Sequence, residues 1–218
     1  MGYSQDQKIK THQRILRTAS KRFREKGLAG VAIADLMKEI GLTVGGFYKH
    51  FDSRDDLVAE SLRAASGPWQ KQLLAAESGG APLTYESLVD SYLSEAHRDH
   101  PGSGCPLSAL ACDIARGSKQ IRSLLTEKVK SYFELLANFL PQDDSAARSK
   151  AILTVSALLG AVELARAVSD QTLSHEILDS TREALKQLVS RDTQAKDGRK
   201  DANEKRTQNV ESISNGRL

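Results

Sequence analysis

Apolar residues recur along the first 26 positions at helical spacing. Ile15, Leu16, Ala19 and Phe23 share one face, and basic side chains occupy the others. Gly27 stands where a glycine ends a helix, so the pattern predicts a helix over 5–26. Ile33, Leu36, Met37 and Ile40 repeat the i, i+3, i+4, i+7 spacing and predict a second helix over 33–40, closed by Gly41. The next stretch, GLTVGGFYKHF, reads in two ways. Two β-rich runs flank Gly-Gly, which is a hairpin signal. An isolated hairpin is marginal, however, and no other strand pattern exists for it to join. The apolar positions decide for a helix: Val44, Phe47, Tyr48 and Phe51 fall at i, i+3, i+4, i+7, with Thr43 as N-cap. A short helix of about two turns, joined to its predecessor by GLT, makes a helix-turn-helix.

From Ser53 a further helical pattern begins. Ser53 is its N-cap, Asp55 and Asp56 lie in its first turn, and Leu57, Val58, Leu62, Ala65 and Trp69 continue its apolar face. Gly67-Pro68 kinks this helix or marks a domain junction. Residues 77–84, ESGGAPLT, form a loop, and Thr84 caps a helix running to about His97. HPGSGCP is a second loop. A short helix then carries Leu107, Leu110, Ala111 and Ile114 on one face, and Ser118 opens another that ends near FLPQDD. The stretch 145–168 is apolar nearly all round, the mark of a helix buried in a core or an oligomer interface. Ser174 caps the last helix, whose stripe is Ile177, Leu178, Thr181, Leu185 and Leu188. Residues 191–218 lack periodicity and apolar content and read as a disordered tail. The fold class is therefore all-α: an arm at 1–8, a helix-turn-helix domain at 9–69 and a larger helical domain at 70–190.

Composition narrows the setting. A chain of 218 residues that is 39% hydrophobic and 27% charged is ordinary for a globular protein. No apolar run approaches a membrane span, and the polar start lacks a signal core, so the expectation is a cytoplasmic protein without a membrane partner. Two cysteines, Cys105 and Cys112, exclude a disulfide framework. The net charge of +3 is unevenly spread: the first 30 residues hold 8 basic and 2 acidic side chains, whereas 67–190 hold 12 and 15. A basic front on a mildly acidic body suits a phosphate-rich partner.

Gly45 and Gly46 then need a reason, because each costs about 1 kcal/mol against alanine inside a helix. Close approach to a bulky neighbour supplies one, and a helix bare at these positions presses deep into a DNA major groove. Around it lie Tyr48, Lys49, His50 and Arg54 as phosphate donors, while Phe47 and Phe51 hold it to the preceding helices. The segment GLAGVAIADLMKEIGLTVGGFYKHFDSRDDLVAESL resembles the DNA-binding domain of the TetR/AcrR family of bacterial transcriptional regulators, over about residues 9–69. The resemblance rests on the Gly27 turn, the IADLMKEIGLT helix, and Gly46-Phe47-Tyr48-Lys49-His50-Phe51 followed by Ser53-Arg54 and Leu57. It implies DNA contacts at Thr43, Val44, Gly45, Gly46, Tyr48, Lys49, His50 and Arg54. Ala32 stands where the family usually has Thr or Ser, and Gly45 where a basic residue is common, so base reading falls to Thr43, Val44 and Lys49. The remainder resembles the family's ligand-binding and dimerisation domain.

In that remainder, Pro106 suits the first position of a helix, which puts Cys105 at its N-cap, where thiols are commonly activated. Some family members similar to this segment place a sensing cysteine in such a GC, which makes Cys105 a candidate effector sensor and predicts that it reacts with iodoacetamide faster than Cys112. The alternative is a small residue packed at a helix start. Trp69, Tyr92, Leu107, Leu110, Tyr132 and Phe133 are candidates to line a ligand pocket. Leu158, Ala161, Leu185 and Leu188 are candidates for a homodimer interface of four helices. His97, His100 and Cys105 match no zinc spacing, so neither metal nor cofactor is implied. The leading reading is a repressor that binds a palindromic operator in double-stranded DNA as a homodimer and is released by a small-molecule or electrophile effector. Its rivals are a thiol-based redox enzyme using Cys105, for which no catalytic motif appears, and an architectural DNA binder without a ligand.

Overall fold

The computed structural model describes residues 5–65, 67–140 and 146–189. Residues 1–4 of the expected arm and the expected tail at 191–218 lie outside the described residues. Regular structure among the described residues is entirely helical: α1 (Gln5–Lys26), α2 (Ile33–Glu39), α3 (Val44–Phe47), α4 (Arg54–Ala64), α5 (Pro68–Glu77), α6 (Tyr85–Tyr92), α7 (Glu95–Asp99), a 3-10 turn (Pro101–Ser103), α8 (Pro106–Ala115), α9 (Lys119–Ala137), α10 (Ala147–Ala167) and α11 over residues 171–189. No described helix is long and apolar enough to cross a membrane.

Local chemistry sets most of these boundaries. Gly27 and Gly41 end α1 and α2 at φ of +72° and +70°, a conformation that glycine adopts without strain. Ser53 caps α4 by accepting from the Asp56 N–H at 3.1 Å, and Thr84 caps α6 in a reciprocal bond with Ser87. Three expectations need correction. The helix expected to run from Ser53 past Trp69 stops at Ala64, because Ala65 turns extended and Pro68 opens α5 as a new helix. The helix expected from Thr84 to His97 breaks at Leu93, and Ser94 restarts the chain as the N-cap of α7. The last helix begins before Ser174: the Asp170 carboxylate accepts from the Thr172 and Leu173 N–H groups, and Ser174 is buried with its hydroxyl on the Ala165 carbonyl. α1 spans the helix expected over 5–26, so residues 5–8 of the expected arm are helical.

Among the described residues two apolar clusters form. Ile15, Phe23, Leu36, Met37, Phe47, Phe51 and Leu57 belong to the first, and Trp69, Leu88, Tyr92, Leu136, Val155, Leu158 and Leu185 to the second. The division does not follow the chain. Leu107 lies in the second cluster, but Leu110 and Ile114, farther along α8, complete the first, as does Ile121 at the start of α9. Polar bonds stitch the same seam. The Asp113 carboxylate of α8 accepts from the Leu28 N–H at 2.7 Å, while the Arg54 guanidinium donates to the Leu28 carbonyl. Arg24 of α1 donates from Nε to the Gly102 carbonyl at 3.0 Å, and Lys128 of α9 donates to the carbonyls of Leu62 and Ala65 at the end of α4. Burial lowers the pKa of both Arg24 and Lys128, each of which meets backbone acceptors across the seam.

Candidate nucleic-acid interface

The recognition element is one α-helical turn followed by a tighter turn, shorter than the expected two turns of helix. Thr43 caps it by accepting from the Gly46 N–H at 3.2 Å. Towards Phe47 the bonds shorten in span: the Lys49 N–H donates to the Gly46 carbonyl at 3.3 Å and the His50 N–H to the Phe47 carbonyl at 2.9 Å, before the Phe51 N–H returns to the Phe47 carbonyl at 3.1 Å. Phe47 and Phe51 are buried and stack at 5.4 Å, anchoring the element to the first cluster. Their burial turns the other face outward: Val44 is 42% exposed and Tyr48 65%. A large aromatic ring and a valine held in water at a helix-turn-helix tip make a surface built for contact.

Gly45 and Gly46 are the decisive pair. Neither has a positive φ. A Cβ at Gly45 would meet only the Thr43 hydroxyl, at 4.0 Å, and one at Gly46 would find its nearest neighbours at 3.6 and 3.8 Å, ordinary van der Waals contact. The protein itself therefore has room for alanine at both. The helix forgoes about 1 kcal/mol at each glycine with no internal compensation.

Beside this element runs a groove lined by Lys8 and Thr11 of α1 and by Leu42, Thr43, Gly46, Lys49 and His50. On the far side of His50 a second groove is lined by Phe51, Asp52, Asp56, Ala59, Glu60 and Arg63. His12 stands behind the element: its Nε2 is 2.8 Å from Glu60 Oε2, its ring stacks on Phe51 at 4.5 Å, and it lies 5.9 Å from the His50 ring. His50 Nδ1 is buried without a hydrogen-bond partner. Burial first, then the charges of His12, Lys8 and Lys49, hold His50 below its ordinary pKa.

A model of the bacterial regulatory proteins of the TetR family matches residues 15–61, the span that carries this element. Residues 15–61 therefore carry a helix-turn-helix of the TetR type. An uncharacterised HTH-type transcriptional regulator of Mycobacterium tuberculosis is 27% identical, over 73% of this chain and 86% of its own length. Among solved structures, a TetR-family regulator from Cytophaga hutchinsonii superposes with a TM-score of 0.66 at 22% identity, covering 82% of this chain and 94% of that one. A TetR regulator from Chloroflexus aurantiacus gives 0.67 at 21% identity, covering 84% and 97%. The all-α fold and the DNA-binding helix-turn-helix of a transcriptional regulator follow.

The remaining candidate residues fall out unevenly. Thr43, Val44, Gly45, Gly46, Tyr48, Lys49 and His50 share the tip. Arg54 does not join them: its guanidinium bonds the Leu28 carbonyl and lies 5.7 Å from the Phe23 ring centroid, so it is engaged inside the protein. Of the six pocket candidates, Trp69, Tyr92 and Leu107 are buried in the second cluster, Tyr132 and Phe133 pack against it, and Leu110 belongs to the first. They do not converge on one cavity. Trp69 donates to the Leu88 carbonyl at 2.9 Å and its ring meets Tyr92 and Tyr132 at 5.1 and 4.9 Å, an aromatic core. Leu158, Ala161 and Leu185 are buried within the protomer and Leu188 only partly, so the first three cannot meet a partner directly.

Cys105 takes the expected N-cap position of α8, but its side chain makes no cap bond and has no exposure. Its N–H donates to His97 Nε2 at 2.9 Å, and its Sγ lies 3.6 Å from the Tyr132 hydroxyl. Cys112 is exposed. The expected reactivity order therefore reverses in the folded protein. Iodoacetamide should label Cys112 first and Cys105 only at the rate of local opening, with the two rates converging in denaturant. Peptide mapping of time-resolved alkylation checks this, and preferential Cys105 labelling of native protein would contradict it.

Proposed function

We propose that this chain is a repressor that binds a palindromic operator as a homodimer and is released when an effector acts on its second cluster. The observation that carries DNA docking at this face is the pair of glycines without an internal cause. An approach that leaves no room for a Cβ explains both, and the backbone of a helix lying in the major groove makes such an approach. Tyr48 and Lys49 flank it as phosphate donors, and Thr43 and Val44 point to bases.

The same reading gives a test with opposite signs. Gly46→Ala should leave stability unchanged or raise it by up to about 1 kcal/mol, yet weaken binding to a duplex selected from a random pool by roughly tenfold or more, since a methyl group at a tight groove contact displaces the whole element. Urea unfolding and fluorescence anisotropy measure the two. Equal affinity of Gly46→Ala and the parent for the selected duplex would remove this docking mode. A two-fold symmetric footprint on that duplex supports the palindrome, and an asymmetric one refutes it.

For release, Cys105 is the proposed target of an electrophile that reaches it during local opening, after the exposed Cys112. Its segment is tied to α1 through the bond from Arg24 to Gly102. Alkylation forms an S–C bond as the leaving group departs and the thiol proton passes to solvent, and the added bulk has no space beside Gly67, where even a new Cβ would lie 3.2 Å from the Tyr132 hydroxyl and 3.4 Å from Cys105 Cα. The strain then reaches the DNA-binding half through Gly102. Cys105→Ser should keep DNA binding and lose release. A Cys105→Ser protein that alkylation still releases would point to a non-covalent effector or to Cys112.

A further inference from the structure

One wall of the groove beside the recognition element is supplied by Lys8 and Thr11 of α1, a helix to which neither the family resemblance nor the glycine argument assigns a DNA contact. Lys8, Thr11 and His12 lie at i, i+3 and i+4 and so share one face of α1. That face closes against Thr43, Gly46, Lys49 and His50. No carboxylate lines this groove among the described residues, whereas Asp52, Asp56 and Glu60 line the groove on the other side of His50, with Arg63. His50 is thus a partition between a basic and a mainly acidic channel.

We propose that a backbone phosphate of bound duplex DNA seats in the basic groove between Lys8 and Thr11 of α1 and Lys49 and His50 of the recognition element, and that His12 is the strut that positions His50 for it. The geometry gives each residue a task. Lys8 and Lys49 bring charge from opposite walls. The Thr11 and Thr43 hydroxyls are neutral donors on the same two walls. His12, fixed by the Glu60 carboxylate and by its stack on Phe51, sets how far the His50 ring swings towards the acidic side. The contact is independent of base sequence, so it positions the protein on any duplex.

The assignment rests on the DNA-binding reading and separates from it in one experiment. Binding of the full chain to a generic duplex and to a selected duplex is titrated against salt. Lys8→Gln should lower the slope of log K against log salt by about 0.9 per bound protomer on both duplexes, while Lys130→Gln, an equal loss of charge on α9, should leave it unchanged. A parent that binds no duplex sinks the DNA-binding reading itself. A parent that binds, with a slope unaltered in Lys8→Gln, overturns the phosphate seat alone.

A pH series tests His12. In the free protein His50 is held low by burial, His12, Lys8 and Lys49. A seated phosphate offsets the lysines, so the bound pKa lies above the free one. The extra affinity is then fully present below the free value and fades as pH rises through the bound value. Binding should tighten as pH falls through the interval between the bound and the free value, by at most tenfold per unit for one proton. His12→Gln keeps an amide for Glu60 but removes a charge that opposes His50 protonation, so the midpoint should move to higher pH with the salt slope intact. A midpoint that does not move in His12→Gln overturns its role as strut.

Discussion

Glutamate at both Leu153 and Leu164 should turn the protein into a folded monomer that binds its operator at least a hundredfold more weakly. Along α10 the buried side chains Ala151, Thr154, Val155, Leu158, Ala161, Val162 and Ala165 serve the protomer's own core. What remains outward is a second apolar line: Leu153 is 53% exposed and Leu164 57%, with Ala157 and Gly160 partly exposed between them. A Cβ at Gly160 would meet nothing within 4 Å, so the helix presents a shallow dip between two leucines. Large residues flanking small ones let two such helices approach closely, and a second copy about a two-fold axis offers the complementary face. On the proposed two-fold operator each recognition element alone would hold one half-site. Joining two about one DNA turn apart, roughly 34–36 Å, makes the second contact intramolecular, worth about 10²–10⁴ in affinity. Sedimentation velocity with circular dichroism separates the outcomes. Leu158→Glu, in contrast, places a charge in the core and should abolish folding. A parent chain that sediments as a monomer at micromolar concentration would end this account of assembly.

Trp69→Ala should cost about 3–5 kcal/mol, the range for removing a large buried aromatic, out of a total of about 5–15 kcal/mol for a typical domain. The indole is almost fully buried, bonds the Leu88 carbonyl and packs against two tyrosines, so its removal leaves a void and takes one of the bonds to that carbonyl, which Ser91 also donates to. At about 2–4 °C per kcal/mol for a chain of this size, the melting midpoint should fall by roughly 10 °C. A midpoint within 2 °C of the parent, with altered ligand response, would instead restore Trp69 as a pocket wall.

Periodicity carried the helix-turn-helix well. The spacing of Val44, Phe47, Tyr48 and Phe51 distinguishes helix from hairpin because two of those residues must be buried to hold the element, and Phe47 and Phe51 are. What periodicity misses is which of two apolar faces meets which neighbour. α10 is apolar nearly all round, so periodicity does not separate Leu158, the residue offered for a partner, from Leu153, and only packing against α8 and α9 does. Arg54 was misplaced for a related reason. A basic residue beside a recognition element looks like a phosphate donor, but the Leu28 carbonyl, left open by the Gly27 turn, lies 26 positions away and reaches it only through the fold. Cys105 shows the limit of position as a guide to reactivity: the N-cap site is correct, and the surrounding Tyr132, Gly67 and His97 decide access. His12 carried no local signal, since its partners Glu60 and Phe51 are distant in sequence.

The peptide of Leu28, gripped at its N–H by Asp113 and at its carbonyl by Arg54, bears on how such regulators can be recombined. A reading head cut at residue 69 and grafted onto a foreign sensor would lose Leu110, Ile114 and Ile121 from beneath Phe23 and Leu28, and Gly27 would face an empty place where the Asp113 carboxylate belongs. The transferable cassette is therefore discontinuous: residues 5–65 together with the stretch from Leu110 to Ile121. Chimeras that keep both pieces from one parent should fold as readers of that parent's DNA, and those that exchange the head alone should inherit a loosened hinge.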